Sequence, residues 1–451
     1  ALVTPPASKQ TEQQTKKIGH ITANEILLTC DQMQSPAFAY REHAEHSPRA
    51  MYMRDWRSAL RTPTYRIGNR TVRFNYHFAL LIVCAFVLVL LFYFARQGSH
   101  SSSDGYWLRR SYTDARSLDN GGPVVQAYNA TYPLTSPMVL RGGVINYRIA
   151  MIADLDTSSK VSKGDGSSTW RSYLKKGYLT YTVARSEIQI SWDDGAPIVL
   201  ESAFALKGRG MELSELVTFN GRLLTFDDRT GLIYEIVNDK PIPWVILLDG
   251  DGHSAKGFKA EWATVKEQTL YVGSMGKEWT TSAGDFENNN PMYVKAITPS
   301  GEVRSLNWVD NFKQLRLQSM QITWPGYMIH ESGTWSEERN RWFFLPRRCS
   351  KEKYNETKDE HMGCNVLVSA DESFTNVETV RLDPENTTPT HGFSSFKFLP
   401  GTDDSIIVAL KSEELNGKTA TFITAFDIAG KTLLPETRIE TDYKYEGFEF
   451  I

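Results

Sequence analysis

The chain has 451 residues, 41% hydrophobic and 23% charged, with 31 Gly, 19 Pro and 4 Cys, a globular composition that excludes collagen-like, disordered and disulfide-scaffold proteins. Its net charge of −3 is unevenly spread, with 11 Lys and Arg against 6 Asp and Glu in residues 1–77 and 39 against 47 from residue 96 onward. The acidic part offers no basic stripe to phosphate backbones, so no nucleic-acid partner is expected.

Residues 1–77 show little hydrophobic periodicity beyond Ile21–Leu28 and read as a mostly disordered cytoplasmic tail. The chain opens on Ala1 rather than Met, so further residues upstream are expected. Residues 78–95, FALLIVCAFVLVLLFYFA, run 18 positions without a charge, near the minimum for a membrane span. Arg57, Arg61, Arg66, Arg70 and Arg73 precede that run, against Arg96, Arg109 and Arg110 after it, which favours a cytosolic N-terminus. The expectation is a single transmembrane signal-anchor helix, a Ser-, Asp- and Gly-rich stalk over 96–139, and a lumenal or extracellular domain over 140–451. Glycosylation sequons at Asn129, Asn355 and Asn386 all follow the run. Oxidising surroundings would let Cys349 and Cys364 pair, although their spacing does not decide whether they do. Cys30 and Cys84 are expected to stay free.

Beyond residue 140 the pattern is all-β. Short apolar runs at Leu223–Phe226, Leu232–Ile236, Trp244–Leu248, Leu270–Val272, Trp342–Leu345, Ile406–Leu410 and Phe422–Phe426 alternate with turn residues. Only Asn311–Gln318 suggests a turn or two of helix. One unit recurs: a polar anchor, a strand, a turn and a second strand. Its anchors are Ser214, Glu261, Glu331, Ser394 and Glu446, spaced 47, 70, 63 and 52 residues apart. Such spacing suits propeller blades. The last copy supplies one strand only, so its partners must come from the start of the domain, where Asn146–Ala153 fits. The prediction is a five-bladed β-propeller closed by both chain ends. A β-sandwich with coincidental carboxylates is the alternative.

In a propeller the five anchors converge on the axis. Three carboxylates there would repel one another, and a hard divalent cation with all-oxygen ligation, Ca²⁺ rather than Zn²⁺, would relieve that repulsion. Asp249-Gly250-Asp251-Gly252 starts like an EF-hand loop, but Ser254 and Ala260 stand where Gly and Glu are needed. Nucleophile elbows, zinc motifs and phosphate-binding Gly loops are missing. Polar residues cluster beside the anchors: Asp154 and Asp156, Arg209 and Glu212, Trp262, Lys277 and Glu278, and Arg347. Carboxylates, a metal, Arg and Trp together suit a phosphorylated aromatic ligand.

The stretches AMIADLDTSSK, KGRGMELSELVTFNGRLLTFDDRTG, PWVILLDGDG, GFKAEW, YVGSMGKEWTT, HESGTWSEERNRWFFLPRR, PTHGFSSFKFLPGTDDSIIVALKSEE and KYEGFEFI, spread from Ala150 to Ile451, resemble the calcium-activated nucleotidases, or bed-bug-type apyrases. The resemblance implies one Ca²⁺ held by Ser214, Glu261, Glu331, Ser394 and Glu446. It implies Ca²⁺-dependent hydrolysis of the terminal phosphate of nucleoside diphosphates (UDP, GDP) and, less, of triphosphates, in the endoplasmic reticulum or Golgi. A secreted or cell-surface form acting on ATP and ADP is the alternative. So is a non-catalytic Ca²⁺-binding propeller, and more distantly a lactonase-like propeller. On this reading Asp154, Asp156 or Glu212 positions or deprotonates water. Arg209 and Arg347 clamp phosphates, with Lys277 and Glu278 beside them, and Trp262 stacks on the base.

Overall fold

A computed structural model describes residues 127–382 and 388–451 and, earlier in the chain, the strands Thr64–Ile67 and Arg70–Arg73. The apolar run 78–95, Cys30 and Cys84, the rest of the tail, residues 96–126 and the sequon at Asn386 lie outside the described residues. The two early strands pair as an antiparallel hairpin in a unit spanning Ala1–Gly122, and Pro123–Ile451 form a second unit. Among the described residues no helix is long and apolar enough to cross a membrane.

The second unit is built of antiparallel sheets. Four of them are four-stranded meanders whose strands follow chain order. The first comprises Leu213–Phe219, Arg222–Asp227, Leu232–Val237 and Lys240–Ile246. The second comprises Trp262–Lys266, Thr269–Gly273, Tyr293–Ile297 and Val303–Asn307. Tyr327–Ser336, Arg341–Ser350, Val366–Ala370 and Val377–Arg381 make the third, and His391–Phe398, Ile406–Leu415, Lys418–Asp427 and Thr432–Ile439 the fourth. In a further, larger sheet the C-terminal strand Tyr445–Phe450 pairs with Val144–Ala153, which pairs in turn with Ser168–Thr182. The two ends of the domain therefore meet in one sheet, as the truncated last repeat requires.

The leading strands touch in a closed cycle. Leu213–Phe219 lies against Trp262–Lys266, and the cycle continues through Tyr327–Ser336 and His391–Phe398 to Tyr445–Phe450, which returns to Leu213–Phe219. The arrangement is propeller-like. Burial follows from it: every residue of Leu213–Phe219 and of Tyr445–Phe450 is buried, whereas the outer strand Lys240–Ile246 is half exposed. Strands covered on both faces lose the in–out alternation of a one-sided sheet. Asn220-Gly221 and Asn416-Gly417 hold positive φ at both positions, the geometry of a tight two-residue hairpin.

Three details differ from the sequence reading. The helical hint at Asn311–Gln318 is a full helix, Val309–Met320, seated by Phe312 and Leu315 in an aromatic core with Trp262, Trp308, Trp342 and Phe344. The strand expected at Trp244–Leu248 ends at Ile246. Residues 127–139, assigned to the stalk, pack on the sheets: the Tyr128 ring lies 5.7 Å from Phe219, and the Tyr132 hydroxyl donates to Glu449 at 2.9 Å. Cys349 and Cys364 are bonded, with Cα atoms 5.4 Å apart.

Candidate metal centre and hydrolytic site

Four of the five anchors sit where their leading strand is irregular. Ser214 is skipped between the pairs Leu213–Asp227 and Glu215–Phe226, and Ser394 between Phe393–Lys411 and Ser395–Leu410. Glu446 falls between Tyr445–Ala153 and Gly447–Ile152, and Glu331 between His330–Pro346 and Gly333–Phe344. Glu261 immediately precedes its strand, its N–H donating to the Gly273 carbonyl at 2.8 Å. A bulge turns a residue out of the pleat's alternation and re-aims its oxygens. The same device at four of the five anchors directs polar groups out of otherwise sealed strands.

These groups are poor in ordinary partners or rich in charge. The Ser214 and Ser394 hydroxyls are buried without a hydrogen-bond partner. Arg347 Nη1 bonds both Glu331 and Glu446, and Lys259 Nζ lies 2.5 Å from Glu261. Burial pushes the Glu261 carboxyl up to about 8, with Glu331 and Asp228 adding to the shift and Lys259 opposing it. Burial likewise raises Glu446 well above the carboxylate range; Lys444 and Arg347 oppose it, while Asp154 and Glu331 add to it. Glu331 adds to the shift of both Glu261 and Glu446, and Arg347 bridges Glu331 to Glu446, while the three carboxylates do not all gather within 4.8 Å of one another. Buried carboxylates and unpartnered hydroxyls form a hard, all-oxygen donor set, which fits Ca²⁺.

A second cluster adjoins the first. Carboxylate oxygens of Asp154, Asp156 and Glu212 lie within 4.8 Å of one another. Asp154 follows the strand Val144–Ala153, and its Oδ1 accepts the Asp156 N–H at 2.8 Å, fixing Asp156 at a φ of 47°. Lys444 Nζ reaches Asp154 at 3.2 Å, Asp156 at 2.9 Å, Glu414 at 2.6 Å and Glu446 at 3.3 Å, linking the two clusters. Burial alone would raise Asp154, but Lys444 and the Asp156 N–H hold it below its ordinary value. Glu414 is lowered further, first by Arg347. Glu212 has no exposed side-chain surface and is bonded by Arg209 and by Arg229 Nε at 2.9 Å, yet burial still raises its pKa. Asp156 is 49% exposed and faces water.

Sequence reasoning missed Lys259, Arg229, Glu414 and Lys444. Two of these carried a signal: Lys259-Ala-Glu261 and Lys444-Tyr-Glu446 repeat a Lys two residues before an anchor.

Three expected substrate contacts are engaged within the protein. Trp262 is fully buried among Trp308, Trp342 and Phe344, its Nε1–H donating to the Ser274 carbonyl at 3.2 Å, so it offers no face to a base. Gly273 is required there, because a Cβ would meet the Trp262 indole at 1.9 Å. Glu278 is buried against Arg316 through two bonds of 2.7 Å. Lys277 donates to the Glu278 carbonyl at 3.0 Å and lies over the Tyr354 ring. A cleft of about 560 Å³ is lined by Asp154, Asp156, Glu414 and Lys444, and also by Arg171, Tyr173 and Tyr443.

The family model described as Apyrase matches residues 155–451. The soluble calcium-activated nucleotidase 1 of Rattus norvegicus is 54% identical over 327 residues, 72% of this chain and 79% of that protein. The apyrase of Cimex lectularius is 51% identical over 323 residues, 72% and 87% of the two chains. Apyrase apy-1 of Caenorhabditis elegans is 45% identical over 309 residues, 68% and 85%.

Proposed function

The chain belongs to the apyrase family and is a nucleotide-phosphate hydrolase, and from that premise we propose that it is a five-bladed, Ca²⁺-dependent nucleoside diphosphatase. The sheet that joins both chain ends is taken as the fifth blade. Supporting the metal assignment are the bulged anchors Ser214, Glu331, Ser394 and Glu446, joined by Glu261, with two buried hydroxyls that lack partners. Calcium, when bound, would polarise phosphate oxygens and offset their charge.

The chain's own residues do the rest. Asp156, exposed and tied to Asp154 and Lys444, orients water toward the terminal phosphorus and takes its proton. The water oxygen bonds to phosphorus as the bridging P–O bond breaks, and the departing monophosphate keeps the electron pair. Arg209 and Arg229, one-third exposed and fixed by Glu212, present guanidinium edges to the phosphates. Arg347 instead orders the Glu331 and Glu446 carboxylates. Glu212 is thus a positioning residue and Asp156 the base.

The apolar run 78–95 and its flanking Arg bias support a type II anchor with the propeller in the secretory-pathway lumen. There, sugar transfer from UDP- and GDP-sugars leaves diphosphates, which suits a UDP and GDP preference. The test is phosphate release by the full chain from UDP, GDP, ADP, ATP and UMP with Ca²⁺, with Mg²⁺ alone and with chelator. Ca²⁺-dependent release fastest from UDP and GDP is expected. Preference for ATP and ADP would move the role outside the cell, and no release from any nucleotide would overturn the enzymatic reading.

A further inference from the structure

With Trp262 sealed in the core, the nucleobase needs another receptor. The cleft that contains Asp154 and Asp156 continues to Tyr173 and Tyr443. Its volume of about 560 Å³ lies inside the range usual for small-molecule sites, roughly 300–1,000 Å³. The two tyrosine rings are stacked, with centroids 4.1 Å apart and planes 23° apart. The Arg171 guanidinium lies 5.6 Å from the Tyr173 centroid, and its Nε is buried without a hydrogen-bond partner. Tyr443 directly precedes Lys444, whose Nζ holds Asp154 and Asp156. One short segment therefore sets an aromatic ledge at a fixed offset from the hydrolytic carboxylates. Two exposed charged side chains, Asp442 and Lys418, complete this part of the cleft.

We propose that Tyr443, backed by Tyr173, is the platform on which the nucleobase stacks, with Asp442 and Lys418 reading its edge. The assignment rests on the nucleotidase reading and adds a specificity determinant to it. Aromatic stacking accepts any base, because every base has a π face. The rim is selective. A carboxylate accepts a ring N–H and an ammonium donates to a carbonyl; uracil and guanine carry both groups side by side, and adenine carries neither. The same pair would therefore favour UDP and GDP over ADP.

The test compares kcat and KM for UDP, GDP, ADP and inorganic tripolyphosphate, which has phosphoanhydrides but no base. Tyr443→Ala is expected to raise KM for UDP and GDP roughly ten- to hundredfold, and to lower the UDP-to-tripolyphosphate ratio of kcat/KM by a similar factor. Tyr443→Phe should keep that ratio within about threefold. Asp442→Ala should cut the UDP-over-ADP preference about tenfold. Should Tyr443→Ala fail to fold, Tyr443→Leu removes the π face while keeping apolar bulk. A folded variant without the ring that keeps the UDP-to-tripolyphosphate ratio overturns the platform, as does an equal loss on both substrates. If the wild-type chain cleaves no nucleotide, the nucleotidase reading fails on its own terms, separately from the base platform.

Discussion

Replacing Glu278 by Gln separates a structural role from a substrate contact. The Glu278 carboxylate meets Arg316 through two bonds of 2.7 Å, with the side chains 4% and 3% exposed. Burial alone would raise Glu278, yet Arg316 holds its pKa below the ordinary value, so the pair is ionised in the folded chain. Charge centres about 4 Å apart at an effective dielectric near 20 attract by about 4 kcal/mol. Removing one member of a buried pair costs about 3–5 kcal/mol, because the other charge stays buried and uncompensated. Glu278→Gln is therefore expected to lower the unfolding free energy by about 4 kcal/mol, read from guanidinium curves followed by tryptophan fluorescence. KM for UDP should move less than about twofold, since Arg316 belongs to the helix Val309–Met320 packed in the aromatic core. The double variant Glu278→Leu with Arg316→Met should regain most of the loss, as apolar replacements of buried pairs do. An unchanged unfolding midpoint together with a raised KM would refute this reasoning and return Glu278 to the substrate.

Further outcomes follow from the same geometry. The Cys349–Cys364 disulfide spans a separation of 15 residues, and its removal by paired Ser substitution should cost about 3 kcal/mol of stability, measured against the wild type with and without reductant; equal curves would contradict it. Burial lowers Lys295 to about 8, with Asp249 and Asp251 opposing. Between about pH 8 and 10.5 the unfolded chain then holds more protons than the folded one, so this residue makes stability rise with pH. Lys295→Met should flatten that rise in pH-dependent unfolding, and an unaltered slope would show the lysine is not the cause. Glu212→Gln, which loosens Arg209 and Arg229, should lower turnover roughly a hundredfold while calcium still binds, by steady-state kinetics beside equilibrium dialysis; unchanged turnover would remove Glu212 from the mechanism.

Much of the fold was legible because local and global signals agree. Asn220-Gly221 and Asn416-Gly417 mark hairpins whatever surrounds them, and the truncated last repeat demanded a partner strand from the domain start, which Val144–Ala153 supplies. The anchors were legible as a repeat, but the bulges that re-aim them were not, since a bulge is a property of paired strands. Trp262 misled because a Trp beside a candidate ligand looks the same in sequence whether it turns outward or into the core. Glu414 was hidden for a different reason: it enters the site from the strand Ile406–Leu415, and only the packing of that sheet against its neighbours brings it to Lys444 and Arg347. The disulfide likewise waited on geometry. Cys349 N–H donates to Met362 and Cys364 N–H to Arg347, so antiparallel pairing brings the two sulfurs together.

The most direct measurement is equilibrium calcium binding by the full chain, paired with phosphate release from UDP in the same samples, for wild type and for Glu446→Gln. The account expects one activating ion per propeller, with phosphate release rising along the same binding curve, and both lost together in the variant. Full activity in chelator, or calcium bound as tightly by Glu446→Gln as by wild type, would contradict it.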